Sequence, residues 1–394
     1  MPMTGLPELV APYGVEEFLD AVWGRRMEVF RGENGRFADL LPWPALNDIL
    51  RRHRLESPRL RLAHAGGRVE AEDYTTEVPL RRGGSYRRIQ HGELATTIRD
   101  GATLVIDSID ELYGPIDDLA TDLEHRLRER VQVNCYASFG AVHGFDTHWD
   151  DHDVLVVQVH GRKHWRVFGP TRPHPTRRDV SHPEPPVGEP AHDFILTAGD
   201  ALHVPRGWWH DASAMTEPSV HLTFGFTGAT GVDFLSWVAD ELRRLDLARQ
   251  DLPRFGPPEA RRQRVKELAE AISQDLADPD ILDRFFAARD GQAPPRGYAS
   301  LPYSVHQGLP DDPATSVRLV VPRAVLRERT GVTEVDADGR RYTFAEAATP
   351  LLRALLDCAP HTLGELAGHA PDLDSATIRA FADELIRQGL LATA

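Results

Sequence analysis

The rhythm of polar and apolar positions changes twice along this chain. Through residues 1–60 apolar side chains recur at helical spacing, in GVEEFLDAVWGRR and again in WPALNDILRRHRL, where Pro44 stands at a permitted helix start. Residues 59–110 hold short β-like runs, RLRLAH and TLVIDSI, on either side of a helix expected near 91–99. Residues 114–128, GPIDDLATDLEHRLR, read as one amphipathic helix. From 131 to 226 the period shortens. VQVNCYASF, DVLVVQVHG, HWRVFG, DFILTAGDALHVP and SVHLTFGF are rich in Val, Ile, Phe, Tyr and Trp, with Gly and Pro between them. Short strands with regular turn signals predict an antiparallel sandwich or barrel. Residues 170–192 interrupt the series with a Pro-rich polar stretch that reads as a surface loop.

After Thr227 the helical period returns, over 231–248, 258–277 and 279–289, and a Pro/Gly-rich connection follows over 291–315. Residues 317–343 suggest strands with a turn at DADGRR. The last segment reads as helices over 345–357, 362–368 and 374–389, then GLLATA after a helix-ending Gly389. Its short helix, turn, second helix and apolar strand resemble a winged-helix module. No repeat at solenoid periods is present.

Composition narrows the function. No stretch is long and apolar enough for a membrane span, and the first residues lack the basic and apolar regions of a signal peptide. The only two cysteines, Cys135 and Cys358, exclude a cysteine zinc site and make a reducing cytoplasm the default location. With 45 basic against 60 acidic residues, a net charge of -15 argues against broad binding to nucleic-acid phosphates. Residues 345–394 are themselves acidic, so a winged helix there is expected to meet protein rather than DNA.

The candidate chemistry lies in the β-rich segment. His148-Trp149-Asp150 places a histidine and a carboxylate two residues apart, and on a strand such residues point to one side. His210, at the end of GDALHVPRGWWH, supplies a second imidazole from a distant segment. Two histidines and one carboxylate on one face of an octahedral metal, with the other positions open, form the ligand pattern of non-haem Fe(II) oxygenases. HxD by itself is a frequent coincidence in a chain with 18 histidines. Here it precedes a strong β run, and the distal histidine follows a strand and a Pro-Gly turn. Trp208 and Trp209 are expected to pack the barrel mouth, and Asp151 and Asp153 to lie in a solvated loop.

The segments THWDDHDVLVVQVHGRKHWRVFGP and LTAGDALHVPRGWWHDAS closely resemble the JmjC/cupin proteins known as ribosomal oxygenases, which hydroxylate protein side chains. The resemblance implies an α+β chain. Its oxygenase domain, over 1–227, is a double-stranded β-helix (the cupin/JmjC jelly roll) with an N-terminal helical extension. A helical dimerisation region covers 228–300 and a winged-helix domain covers 301–394. It puts the metal ligands on His148, Asp150 and His210. It puts Lys163, fifteen positions after His148, on the far carboxylate of 2-oxoglutarate. Without the resemblance, Lys163 in GRKHW reads equally as a turn residue in water. Asn134 and Tyr136, alternating on the strand before HxD, fall on positions lining the co-substrate pocket, and Thr223 with His221 is expected on the same interior face.

The implied activity is an Fe(II)- and 2-oxoglutarate-dependent hydroxylation of a side chain in a protein, such as a ribosomal protein, or in a peptide. The 170–192 insertion departs from the family pattern and leaves the substrate open. The implied setting is a cytoplasmic homodimer with no DNA or membrane partner. The alternative is a non-catalytic metal-binding cupin that acts as a binding or regulatory protein.

Overall fold

The computed structural model describes residues 5–140, 142, 144–176, 179 and 184–394. It divides into two compact units, Met1–Thr227 and Gly228–Ala394.

The first unit begins with helices α1 (Leu6–Val10), α2 (Val15–Ala21) and α3 (Trp43–Arg52), with strand β1 (Glu28–Phe30) between the last two. Strands β2 (Leu60–His64) and β3 (Gly67–Val69) follow, then a hairpin of β4 (Thr75–Pro79) and β5 (Ser85–Ile89). That hairpin was not expected, because its strands are polar and largely exposed, without an apolar face to betray them. Helix α4 (His91–Arg99), strand β6 (Thr103–Ile106) and helix α5 (Gly114–Leu127) lead into the β-rich segment, close to the periodic signal in each case. There the strands are β7 (Val131–Ser138), β8 (Asp153–His160), β9 (Arg162–Pro170), β10 (His192–Thr197), β11 (Ala201–Val204), β12 (Trp208–Ala214) and β13 (Ser219–Phe226).

Two sheets result. The larger has eight strands in the order β1-β11-β8-β13-β7-β6-β2-β3, and the smaller has β10-β9-β12. All pairings are antiparallel. This is the expected jelly-roll arrangement of antiparallel strands with helices outside it. In β7, Val133, Cys135 and Ala137 point outward and join the main core with Leu119 and Leu123 of α5. In β8 the two faces divide. Leu155 and Val157 join that core, while Val154 and Val156 pack with Trp165 and Val167 of the small sheet. A strand apolar on both faces is what a buried central position requires, and it explains the unbroken run DVLVVQV.

The chain passes from the large sheet to the small one across a single residue, Gly161, between β8 and β9. Gly161 has φ +65°, and a Cβ there would lie 2.1 Å from the Pro218 carbonyl oxygen. Only glycine meets both conditions. The connection between Pro170 and His192 holds no strand among its described residues, and 177, 178 and 180–183 lie outside them.

The second unit opens with α6 (Gly231–Glu241), α7 (Asp246–Arg249), α8 (Pro258–Leu276) and α9 (Ile281–Gly291). Thr230 and Asp233 form a reciprocal capping box at the start of α6. Strands β14 (Ser316–Leu319), β15 (Val325–Arg329), β16 (Val332–Ala337) and β17 (Arg340–Ala345) follow. The DADGRR turn is a two-residue hairpin loop with positive φ at both Asp338 and Gly339, the geometry that matches strand twist. Helix α10 (Thr349–Leu355), strand β18 (His361–Thr362), helices α11 (Leu363–His369) and α12 (Ser375–Arg387), and strand β19 (Leu391–Thr393) complete the chain. Strands β18, β14 and β19 form a three-stranded sheet, and its core takes Leu351, Leu366, Ile378 and Leu385 from the helices. Among the described residues no helix is long and apolar enough to cross a membrane.

Candidate metal centre

His148 and Asp150 do not share a strand, as their spacing suggested. They lie in the connection between β7 and β8, and His148 meets His210 of β12 in an isolated antiparallel bridge. The bridge has two backbone hydrogen bonds, His210 N–H to His148 O at 2.7 Å and His148 N–H to His210 O at 3.0 Å. Gly207 N–H donates to Asp150 O at 2.9 Å and ties down the other end of the motif. A β-bulge between Trp209 and His210 offsets β12 against β9 at this point.

The ring orientations follow from backbone acceptors. His148 Nδ1–H donates to Asp146 O at 2.8 Å, and His210 Nδ1–H donates to Trp208 O at 2.9 Å. A carbonyl can only accept, so each Nδ1 carries the proton and each Nε2 presents a lone pair. His210 Nε2 is 3.6 Å from Asp150 Oδ2. One donor atom from each of His148, Asp150 and His210 lies within 4.8 Å of the others, the only such His/Cys/Asp/Glu cluster among the described residues. Burial, followed by the neighbouring His148, lowers the pKa of His210, which keeps that imidazole neutral and available as a donor. Two imidazoles and a carboxylate facing open space suit a divalent transition metal with vacant coordination positions.

The cluster opens into a cavity of about 260 Å³ between the two sheets. Lys163 and Trp165 of β9 and Ala212 of β12 line one wall, and Tyr136, Val156, His221 and Thr223 line the opposite one. Lys163 is 3% exposed, so it is no turn residue in water. It makes no hydrogen bond or ion pair with the described residues. Burial lowers its pKa to about 7. A cation held this way is incomplete without an anion.

Tyr136 stacks on His221 with 4.8 Å between ring centroids. Burial, followed by the Asp150 charge, raises the phenol to about 12, so it remains a hydroxyl donor. Asn134 is not among the residues lining the cavity. Its Oδ1 accepts from Ser108 N–H at 3.1 Å, and its side chain lies close enough to the Tyr136 phenol to offset part of the upward shift. The Nδ1 of His221 and the Nε1 of Trp165 are buried without hydrogen-bond partners among the described residues. Trp209 packs instead, donating from Nε1 to Thr171 Oγ1 at 2.8 Å. Asp153 is engaged rather than solvated, because its Oδ1 accepts from Arg206 N–H at 3.1 Å.

Several wall residues escaped the sequence reading. Trp165 was legible, since it sits two positions after Lys163 on the same strand. Arg61 carried a fainter signal, one charge alternating with Leu60 and Leu62 in a short strand. Those leucines enter the core, while Arg61 faces the cavity and forks onto Asp107 at 3.0 and 3.1 Å.

Residues 114–234 match the model of the JmjC domain family. Among curated proteins, the chain is 28% identical over 228 residues to ribosomal oxygenase 1 of Gallus gallus, covering 55% of this chain and 35% of that protein. It is 36% identical over 134 residues to ribosomal oxygenase 2 of Rattus norvegicus, covering 32% of this chain and 28% of that one. It is 26% identical over 220 residues to the bifunctional lysine-specific demethylase and histidyl-hydroxylase NO66 of Drosophila pseudoobscura pseudoobscura, covering 55% of this chain and 22% of that one. The chain therefore spans about a third or less of the length of these relatives. Among solved structures, Escherichia coli YcfD superposes with a TM-score of 0.62 at 18% identity, over 97% of this chain and 98% of that one. YcfD, described as a ribosomal oxygenase in complex with cobalt and 2-oxoglutarate, gives 0.60 at 17% identity over the same shares. That likeness shows a shared fold from end to end.

Proposed function

We propose that this chain, which belongs to the JmjC ribosomal oxygenase family, is an Fe(II)- and 2-oxoglutarate-dependent dioxygenase that hydroxylates a side chain of a protein or peptide. One observation carries the reading. Two lone-pair Nε2 atoms, the Asp150 carboxylate and the unpaired ammonium of Lys163 all face one cavity.

His148, Asp150 and His210 would hold the iron, and Lys163 would hold the far carboxylate of 2-oxoglutarate. Thr223 and Tyr136 add hydroxyl groups to the same wall, and Asn134 lies beside the Tyr136 phenol. When bound, the metal and co-substrate supply oxygen activation coupled to oxidative decarboxylation, chemistry no side chain can perform. The protein positions, charges and dries the site. The backbone carbonyls fix the imidazole rings before any metal arrives. The apolar wall of Val154, Val156 and Trp165 keeps water from the buried cation and strengthens its pairing with a carboxylate.

The ribosomal oxygenase relatives favour a ribosomal-protein-like substrate, and they also favour a cytoplasmic setting. The sheet β18-β14-β19 with α11 and α12 fits a winged helix, and α6–α9 fit a homodimerisation region, with boundaries at 227 and 300. Exposed Val232, Leu235, Leu282 and Phe286 on α6 and α9 support that last assignment.

The test is succinate formation. Protein reconstituted anaerobically with Fe(II) is given 2-oxoglutarate and air, beside His148→Ala. Succinate from the wild type alone supports the oxygenase, and mass spectrometry then seeks one added oxygen atom on basic proteins and peptides. Failure of the metallated protein to bind 2-oxoglutarate would overturn it in favour of a non-catalytic metal-binding cupin.

A further inference from the structure

We infer that Asp211 is a positioning residue that fixes the ligand-bearing connection to the small sheet, an inference that rests on the metal-site reading above. The connection between β7 and β8 carries two of the three metal donors, yet belongs to no strand. Something must hold it within a fraction of an ångström of His210.

The two-residue bridge His148–His210 provides the backbone part. A side-chain link sits directly beside it. Thr147, the residue before His148, donates from Oγ1 to Asp211 Oδ2 at 2.8 Å, and Asp211 follows His210. The residues flanking the two histidines are thus joined to each other. Asp211 is in turn gripped from β9, where Arg166 stands opposite it in register. Arg166 donates from Nε to Oδ1 and from Nη2 to Oδ2, both at 2.9 Å.

The strand alternation gives this arrangement its logic. His210 and Ala212 line the cavity, so Asp211 points to the opposite face of the sheet, away from the donors. It touches neither metal nor co-substrate. Nevertheless its side chain is only 9% exposed, and all three bonds it makes are with described residues. A forked guanidinium fixes the plane of a carboxylate far better than a single bond does. The plane of Asp211 then fixes Thr147, and Thr147 fixes where His148 begins. Asp150 is fastened separately, by Gly207 N–H. The Thr147–Asp211–Arg166 chain therefore governs the two imidazoles and not the carboxylate.

The test is Co(II) binding, followed by calorimetric titration and by the visible absorption of the bound ion, with no turnover needed. The variants are Thr147→Val, Thr147→Ser, Asp211→Asn and His148→Ala. Thr147→Val removes the link and leaves the Asp211–Arg166 pair intact, so it answers even if Asp211→Asn folds poorly. The expected result is Co(II) affinity about 10-fold or more weaker in Thr147→Val and Asp211→Asn. The absorption envelope changes with it, the melting temperature of Thr147→Val stays close to wild type, and Thr147→Ser restores both affinity and spectrum. Wild-type affinity and spectrum in Thr147→Val and Asp211→Asn, with binding lost in His148→Ala, would overturn the positioning role and leave the metal site standing. No Co(II) binding by the wild type would remove the metal site itself, and this inference with it.

Discussion

Trp165 lies over His210, with ring centroids 5.9 Å apart and planes 27° from parallel. An indole this close to a metal-binding imidazole is a built-in reporter. A paramagnetic ion bound at His210 quenches the Trp165 emission more strongly than that of a distant tryptophan. Titration with Co(II) is therefore expected to dim the protein's fluorescence saturably, and Trp165→Phe to remove the largest single share of that quenching while binding is retained. Equal quenching in the variant would pass the reporter role to Trp149, Trp208 or Trp209, which adjoin the ligands in sequence.

Lys163 sets both an affinity and a pH dependence. Replacing it by Met removes a charge-assisted contact to a carboxylate, worth roughly 1.5–3 kcal/mol, or about 10- to 100-fold in 2-oxoglutarate affinity. Co(II) affinity is expected to stay the same. In the free protein burial lowers the Lys163 pKa from 10.5 to about 7. The unfolded chain then binds more protons between those two values, so this residue makes stability rise with pH across that window. Its cost is fully present below about pH 7. Lys163→Met is expected to flatten the rise, as read from denaturation midpoints at several pH values. For the same reason 2-oxoglutarate affinity falls above about pH 7, as the ammonium loses its proton.

His203 predicts the acid limb. It is fully buried, with Nδ1–H donating to Val154 O at 3.0 Å and Nε2 accepting from Gly24 N–H at 3.1 Å. Trp23 stacks on its ring at 5.0 Å. Both nitrogens are used by the neutral form, and protonation breaks the Gly24 bond. Burial lowers the pKa from 6.5 to about 4. The unfolded state binds more protons between these values. Stability therefore falls as pH drops from about 6.5 towards 4, by at most about 1.4 kcal/mol per pH unit from this one group. His203→Gln is expected to be less stable at neutral pH and to show a shallower acid slope. An unchanged slope would assign the acid sensitivity to other groups.

Gly161→Ala tests the crossing between the sheets. The left-handed backbone and the approach of the Pro218 carbonyl oppose any side chain there. A loss of about 2 kcal/mol or more is expected. Lys163 is the second residue of the strand just beyond this crossing, so weaker 2-oxoglutarate binding should accompany the lower melting temperature.

Much of this was legible in the sequence because two periods differ so plainly. The helical spacing of WPALNDILRRHRL and the run DVLVVQVHG leave little choice of element. His148, Asp150 and His210 were legible through residue type and context. Their actual meeting was not. A bridge one residue long, His148 against His210, leaves no periodic trace, and the shared strand expected from HxD gave way to it. Lys163 shows the same limit from the other side. Sequence leaves it open between turn and interior, and the β9–β12 and β9–β10 ladders decide for the interior. The hairpin over 75–89 was missed because it is largely exposed and buries only its Thr75 and Ile89 end, so no alternation marks it.

The isolated bridge has one more consequence. Strand β12 is an edge of its three-stranded sheet, and beyond β9 its backbone is met on the other side by His148. An uncovered edge strand invites pairing with a second chain, the usual start of aggregation. The ligand-bearing connection is therefore also a guard on that edge. A chain whose ligand-bearing connection detaches from β12 exposes a sticky margin at the same moment, so substitutions that break the bridge should cost metal binding and solubility together.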